Sequence, residues 1–375
     1  MGLVSLFSDM TYEGARGMAG PFLFSLGASA TAVGLISGLG ELIGYGLRML
    51  FGFWSQKTGR YWLFTMLGYG MNLIAVPLLA LAGSWPVAAG LLMCERLGKS
   101  IRAPSKDVLL SHAASAVGHG KGFGFHEAMD QIGAVSGPLL GALGLFWFGG
   151  YGGAFAILAF PAALALVVLT TARFLFPNPS RFEAEPTVAR STDGKFPPSF
   201  RIYVAAAALL AFGYADFPLV AYHFRKIGIL TDTQIPLAYA AAMGVDAVAA
   251  LAFGFLFDRM GLKSLPFAAI TAGVAVPLAF SSTPSLCWAG IILWGIALGA
   301  QESSLKAGIA RLVSKERRAG AYGTFHAAFG IAWFGGSAAM GWMYDRDVRG
   351  VMALAIGAQV AAAGVFLWAG AKTLK

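Results

Sequence analysis

Charged residues are scarce in this chain of 375 residues: Asp, Glu, Lys and Arg make up 12% of it, against roughly a quarter in soluble domains. Hydrophobic residues make up 57%. That balance excludes a soluble enzyme, a disordered chain and a nucleic-acid binder, none of which could hide so much apolar surface from water, and leaves the bilayer as solvent. Cysteine is nearly absent as well. Cys94 and Cys287 lie far apart inside apolar runs, which excludes a disulfide framework and a four-ligand zinc site and leaves them as packing residues. The N-terminus lacks the uninterrupted apolar core of a cleaved leader, because Asp9, Glu13 and Arg16 interrupt its first apolar stretch, so it reads as mature structure. No G-x-x-x-x-G-K-[ST] loop is present, so no ATP site is expected and the expected energy source is an ion gradient.

A helix needs roughly 20 apolar residues to cross about 30 Å of hydrocarbon. Dividing the chain on that scale at its Gly, Pro and charge clusters predicts twelve spans, near 3–26, 31–54, 61–82, 86–108, 122–146, 152–173, 201–223, 235–257, 264–281, 285–309, 320–343 and 350–371. The longest break, from Phe174 to Phe200, contains five prolines and mixed charges and reads as a solvated linker. The expected organisation is a six-helix bundle over residues 1–173, a cytoplasmic linker over 174–200 and a second six-helix bundle over 201–375. The connections after spans 2, 4, 6, 8 and 10 carry Lys57, Arg60, Lys121, Arg173, Arg181, Arg190, Lys195, Arg259, Lys263, Arg311, Lys315, Arg317 and Arg318, while the opposite side has Arg225, Lys226, Arg346 and Arg349. The excess of bases predicts a multi-pass protein of the cytoplasmic membrane with both termini inside.

A shift of about 200 residues superposes the halves: Phe125-His126 falls on Phe325-His326, and Lys106 on Lys306. The segment Gly52-Phe-Trp-Ser-Gln56-Lys57-Thr-Gly59-Arg60, after span 2, matches Gly254-Phe-Leu-Phe-Asp258-Arg259-Met-Gly261-Leu-Lys263, after span 8. Parallel six-span repeats are a transporter architecture with the site near mid-membrane. Gly59 and Gly261 are expected to supply backbone angles that other residues avoid, and the neighbouring bases to hold the cytoplasmic side. In these loops the sequence resembles the major facilitator superfamily, whose signature after spans 2 and 8 is a Gly, a basic–acidic pair and a second Gly followed by bases. The second copy fits closely; the first departs at Gln56, where the family usually has Asp. The resemblance covers essentially the whole chain and implies an all-α polytopic membrane protein with 12 transmembrane helices in two pseudo-symmetric bundles. It also implies a gating role for Asp258 and Arg259.

Predicted spans 3, 6, 9 and 12 contain no Asp, Glu, Lys, Arg or His in their interiors, and every intramembrane charge lies on the other eight. A charge facing lipid costs at least about 2.5 kcal/mol, so the charged spans must surround a common interior. The resemblance assigns the same period of three: 1, 4, 7 and 10 lining, 2, 5, 8 and 11 flanking, the rest outside. In span 1, Asp9, Tyr12, Glu13 and Arg16 share one helical face. Span 2 adds Glu41 and Arg48, span 4 Glu95 and Arg96, span 7 Asp216, span 8 Asp246, and span 10 Gln301 and Glu302, the last four residues before Lys306. These residues can neutralise one another, as Glu13 with Arg16 and Glu302 with Lys306. Alternatively, unequal neutralisation leaves some acids able to take and release a proton.

Span 5 reads Gly124, Gly133, Gly137-Pro138 and Gly141-Ala142, a spacing that lets helices approach closely and bends the chain at Pro138. In the resembling superfamily this pattern looks like the signature of proton-coupled exporters, departing only at Ala142. A Gly-rich packing helix is the other reading. His126, Glu127 and Asp130 open the same span; Glu127 and Asp130 have no counterparts in the repeat, where Ala327 and Gly330 stand, so a gate or proton relay is expected there rather than a metal site. The leading expectation is a secondary active transporter exporting a small organic solute against protons, with no cofactor beyond the gradient, a lipid bilayer around it, no nucleic-acid partner and a monomeric state. The residues leave open an importer of an anionic or zwitterionic metabolite, with Arg16 and Arg96 gripping a carboxylate. A membrane-embedded enzyme or receptor would need a nucleophile beside a base, a metal cluster or a soluble domain, and the sequence offers none.

Overall fold

A computed structural model describes residues 1–114, 118–177, 196–314 and 317–372. The centre of the expected linker, residues 178–195 with Arg181, Arg190 and Lys195, lies outside them, as does Lys315. Among the described residues no strand occurs, and each predicted span coincides with a helix or a pair of helices. The first half contains α1 (Gly2–Ser25), α2 (Ala30–Gly46), α3 (Arg48–Thr58), α4 (Tyr61–Leu78), α5 (Trp85–Ala114), α6 (His119–Phe148), α7 (Tyr151–Ile157) and α8 (Ala159–Leu175). The second contains α9 (Pro198–Phe212), α10 (Phe217–Ile227), α11 (Gln234–Met260), α12 (Leu265–Ala279), α13 (Pro284–Leu312), α14 (Arg318–Tyr344) and α15 (Val348–Lys372).

Three predicted spans are interrupted. Span 2 divides at Leu47 into α2 and α3. Span 6 divides at Leu158 because Pro161 has no N–H to offer the carbonyl of Ile157, four residues back. Span 7 divides at 213–216, where Gly213 ends α9 and Asp216-Phe217-Pro218 begins α10 with its proline in the first turn. The two matched turns after spans 2 and 8 form as the sequence requires, Gly59 at φ +65° and Gly261 at φ +59°, both in the left-handed region.

Among the described residues, eight helical stretches are long and apolar enough to cross a bilayer: 30–58, 61–81, 122–148, 151–175, 198–227, 234–279, 284–312 and 348–369. The stretch 234–279 holds two predicted spans joined through a short 3-10 turn at Gly261–Ser264. Helices α1 and α5 stand outside this set because charges interrupt them, and α14 because Gly and Ala dominate it. The exposed large apolar side chains complement this pattern. Among the described residues, predicted spans 1, 4, 7 and 10 expose such side chains only near their ends, at Leu3, Trp85, Val87, Ile227 and Leu286. The other eight expose them along their length, as at Leu67 and Ile74 in α4, Phe160 and Val167 in α8, Ile270 and Val274 in α12, and Ile356 and Val360 in α15. Those surfaces suit acyl chains.

Contacts group the chain into two compact units. One gathers Met1–Ala28, Ile43–Thr187 and Thr231–Ala240; the other gathers Ser29–Leu42, Val188–Leu230 and Ala241–Lys375. Each therefore includes a short stretch from the opposite half of the sequence, the beginning of span 8 in the first and of span 2 in the second. In the first unit, Val4, Tyr69, Leu73, Ala162, Ala165 and Leu169 join α1, α4 and α8 in one apolar cluster. In the second, the carboxylate of Asp345 caps the start of α2, accepting the N–H groups of Ala30 at 3.1 Å and Thr31 at 2.8 Å and the Thr31 hydroxyl at 2.6 Å. Burial pushes this carboxyl up, but those three donors and the nearby Lys226 outweigh it and hold its pKa below the ordinary value of 3.8.

Candidate functional site

The charged face predicted on span 1 is held in place by glycine. A Cβ at Gly133 would meet the carbonyl oxygen of Leu6, and one at Gly137 that of Met10, while a Cβ at Gly14 would sit 2.9 Å from the Gly137 oxygen. Helices α1 and α6 therefore touch backbone to backbone along the glycine stripe that the sequence showed. Pro138 lies inside α6. A second seam joins α4 to α5: a Cβ at Gly68 would lie 2.6 Å from the Gly98 oxygen and from the Arg102 Cβ, and one at Gly98 would lie 2.6 Å from the Asn72 nitrogen. Asp9, Glu13 and Arg16, Glu95 and Arg96, and Glu127 and Asp130 are set on these two clamped helix pairs.

In the first unit, Asp9, Tyr12, Glu13 and Glu95 are all buried. Glu13 accepts a hydrogen bond from the Tyr239 hydroxyl at 2.5 Å and faces Arg16 at 4.0 Å. Glu95 accepts from the Asn72 amide at 2.8 Å and pairs with Arg96 at 3.2 Å. Asp9 receives the Ser8 hydroxyl at 3.4 Å. The Lys99 ammonium lies 4.1 Å from the centre of the Tyr12 ring. The Arg102 guanidinium lies 5.6 Å from that ring and 4.2 Å from the Tyr69 ring. Cation–π contact of this kind contributes most where water is excluded. Further along α6, buried His126 faces the Lys106 ammonium at 2.9 Å, Ser5 at 3.4 Å and Asp130 at 3.6 Å, whereas Glu127 is exposed.

In the second unit, the break between α9 and α10 is the most densely bonded feature. Asp216 accepts the indole N–H of Trp333 at 2.8 Å and the hydroxyl of Ser337 at 2.5 Å. Trp294 donates to the carbonyl of Ala215 at 2.8 Å, and Tyr214 donates to that of Trp294 at 2.9 Å. Asp246, Gln301 and Glu41 are buried; the Gln301 amide turns back to the carbonyl of Ala297 at 3.1 Å. Glu302 and Lys306 lie on an exposed side of α13. In the matched turns after spans 2 and 8, Gln56, Lys57, Arg60, Asp258 and Arg259 are exposed, Gly52 and Gly254 are half-buried, and no ion pair joins Asp258 or Arg259 to another described residue.

Several side chains at these sites were not singled out from the sequence. Lys99 and Arg102 continue a stripe of Glu95, Lys99, Arg102 and Lys106 on one face of α5, a helical spacing legible in advance. Asn72 stands out in the sequence only as an uncharged exception in span 3. Tyr239 carries no local signal, because its partner Glu13 is 226 positions away. The break at 213–216 was announced by Gly213 and by the Asp216-Phe217-Pro218 start, a helix-stop and helix-start pair inside an otherwise continuous apolar run.

Known proteins resemble this chain over nearly its full length. A sequence profile of the Major Facilitator Superfamily matches residues 1–224. An uncharacterised protein of Mycobacterium tuberculosis is 40% identical over 366 residues, covering 96% of this chain and 90% of the relative. An uncharacterised MFS-type transporter of Methanocaldococcus jannaschii is 28% identical over 353 residues, covering 92% and 87%. Among solved structures, the nucleoside transporter NupG superposes with a TM-score of 0.74 at 14% identity, over 98% of this chain and 97% of its own. A bacterial homologue of the human lysosomal transporter Spinster, in an inward-facing, occupied conformation, gives 0.75 at 14% identity, over 98% and 95%. At that identity the two structures speak for the fold.

Proposed function

The chain belongs to the major facilitator superfamily, a family of secondary transporters, and from that premise we propose that it exports a small organic solute in exchange for protons by alternating access. It acts in the cytoplasmic membrane as a monomer, with both termini inside, as the distribution of Lys and Arg argues. The single observation that carries the coupling is the buried acid set of Asp9, Glu13 and Glu95, interleaved with Arg16, Arg96, Lys99 and Arg102 on two helices. Acids in such a setting change proton affinity when their neighbours move, which is what exchanging a proton for a solute requires. The backbone contact of Gly133 and Gly137 with α1 supports the export direction, since that stripe is where the chain resembles proton-coupled exporters. Asp258, Arg259 and the Gln56 turn serve as cytoplasmic gate elements, engaging as the conformation changes.

Reconstitution into proteoliposomes with an imposed pH gradient tests the reading. Solute movement driven by the proton gradient, lost in Glu13→Gln with solute binding retained, is the expected result. Flux that responds to neither proton nor sodium gradients overturns the coupling, and flux driven only by sodium reassigns the ion.

A further inference from the structure

Three acids of the first unit are engaged by donors other than Lys99 and Arg102: Glu13 by Tyr239 and Arg16, Glu95 by Asn72 and Arg96, and Asp9 by Ser8 and Tyr12. Asp130 lies 3.6 Å from His126, and its buried Oδ1 has no hydrogen-bond partner. Lys99 and Arg102 are different. Neither makes a hydrogen bond or an ion pair within 4.0 Å with any described residue, although Glu13, Glu95 and Asp9 act on Lys99 through space and Asp9 and Asp130 act on Arg102. Arg102 is only 3% exposed, and its Nε and the hydroxyl of fully buried Tyr69 have no hydrogen-bond partner. Both cations lie on the Tyr12 ring. The positions are enforced: the Gly68–Gly98 crossing brings the backbone of α4 onto Arg102 and sets Tyr69 beneath its guanidinium.

Burying two like charges with no hydrogen-bonded counter-charge is unfavourable, because ring faces and acids acting through space supply a fraction of what a directly bonded partner supplies. The planar guanidinium fork and the ammonium together match a carboxylate or phosphoryl group, which accepts two or more donors at once. We propose that Lys99 and Arg102, with the hydroxyl of Tyr69, form the docking site for the acidic group of the cargo, so that the transported solute is an organic anion. This deepens, and rests on, the transporter reading above. Arg16 and Arg96, the cations that the sequence favoured for gripping a carboxylate, are instead occupied with their own helix neighbours Glu13 and Glu95.

The test uses the purified full-length protein, with glutarate as carboxylate probe, glycerol 3-phosphate as phosphoryl probe, and uridine and tetraethylammonium as neutral and cationic controls, all at constant ionic strength. Calorimetric titration of the wild type is expected to show binding of at least one anion and of neither control; which anion binds separates the carboxylate from the phosphoryl source. Lys99→Gln and Arg102→Gln should each weaken that binding by about tenfold or more. Lys99→Arg and Arg102→Lys keep the charge, guard against a folding defect and should retain most of the affinity. Absence of anion binding, or affinity unchanged in both Gln variants, overturns the site. Flux of the same solutes into proteoliposomes separates the two claims. Transport of a cation or neutral solute that is insensitive to both Gln variants sinks the anion site and leaves the transporter reading intact. An anion that binds through Lys99 and Arg102 but moves under no gradient does the reverse.

Discussion

Removing the Tyr239 hydroxyl should cost the protein one of its shortest buried hydrogen bonds. The bond runs from a buried phenol to a buried carboxylate at 2.5 Å, the short end of the range for a hydroxyl donating to an ionised acid. Bonds to charged groups contribute about 1.5–3 kcal/mol, or roughly 10- to 100-fold in an equilibrium constant. Tyr239→Phe keeps the ring, so packing against Gly17, whose Cβ position lies 3.0 Å from that ring, is preserved. In the variant the contact within 4.0 Å that Glu13 keeps among the described residues is Arg16, at a separation that barely qualifies as an ion pair, with Lys99 acting through space. A double-mutant cycle of Tyr239→Phe with Glu13→Gln, read by reversible unfolding in mixed detergent micelles, isolates the pairwise contribution. The expected coupling is about 1–2 kcal/mol, reduced because the substituted amide still offers a carbonyl acceptor. Additivity of the two substitutions within about 0.5 kcal/mol would refute the reasoning. It would mean that the phenol and the acid do not hold α11 to α1 as the geometry requires.

The other predictions follow from single contacts. Gly137→Ala drives a methyl into the Met10 carbonyl and should destabilise by roughly 1–3 kcal/mol, whereas Gly141→Ala presses on the flexible end of Met18 and meets the Gly14 carbonyl at an ordinary 3.5 Å, and should cost less than about 1 kcal/mol; thermal unfolding compares them. Asp216→Ala leaves the Trp333 indole and the Ser337 hydroxyl buried without an acceptor and should cost roughly 2–5 kcal/mol, with Trp333 fluorescence reporting the loss. Asp345→Asn weakens the cap on α2 by about 1 kcal/mol, seen as roughly fivefold faster amide exchange at Ala30 and Thr31. Because the pKa of Asp345 is depressed, its contribution is complete above the ordinary carboxylate range and disappears as the pH falls through the folded value, below 3.8. The wild type and Asp345→Asn should therefore differ equally at pH 5 and pH 8 and converge in stronger acid.

Much of the fold was legible because membrane chains obey a harsh solvent. Apolar runs marked the helices, and charge-free spans marked the faces that now expose Leu67, Val167, Ile270 and Val360. Of the acids read as interior, Asp9, Glu13, Glu41, Glu95, Asp216 and Asp246 are buried, whereas Glu302 lies exposed on α13. The turns at Gly59 and Gly261 were readable because a positive φ selects glycine locally. What escaped was partnership across long sequence distances. Nothing near Tyr239 points to Glu13, and nothing in span 3 names Tyr69 as the ring beneath Arg102. The stripe of Glu95, Lys99, Arg102 and Lys106 was readable, but the acid–base doublet Glu95-Arg96 overshadowed it. The interruption at 213–216 was also written in the chain, yet an apolar count carries straight across it, since Phe212, Tyr214, Ala215 and Phe217 look as hydrophobic as the helix around them.

A gap in a long helix is where bending is usually sought, and the gap at 213–216 argues otherwise. Its freed carbonyl at Ala215 is bolted by the indole of Trp294, and its acid by the indole of Trp333 and the hydroxyl of Ser337. To flex there, the second unit would have to strip buried donors from α13 and α14 together. The corner is a weld rather than a joint: α9 and α10 travel with those two helices as one solid piece, and any motion of that unit must find its hinge elsewhere.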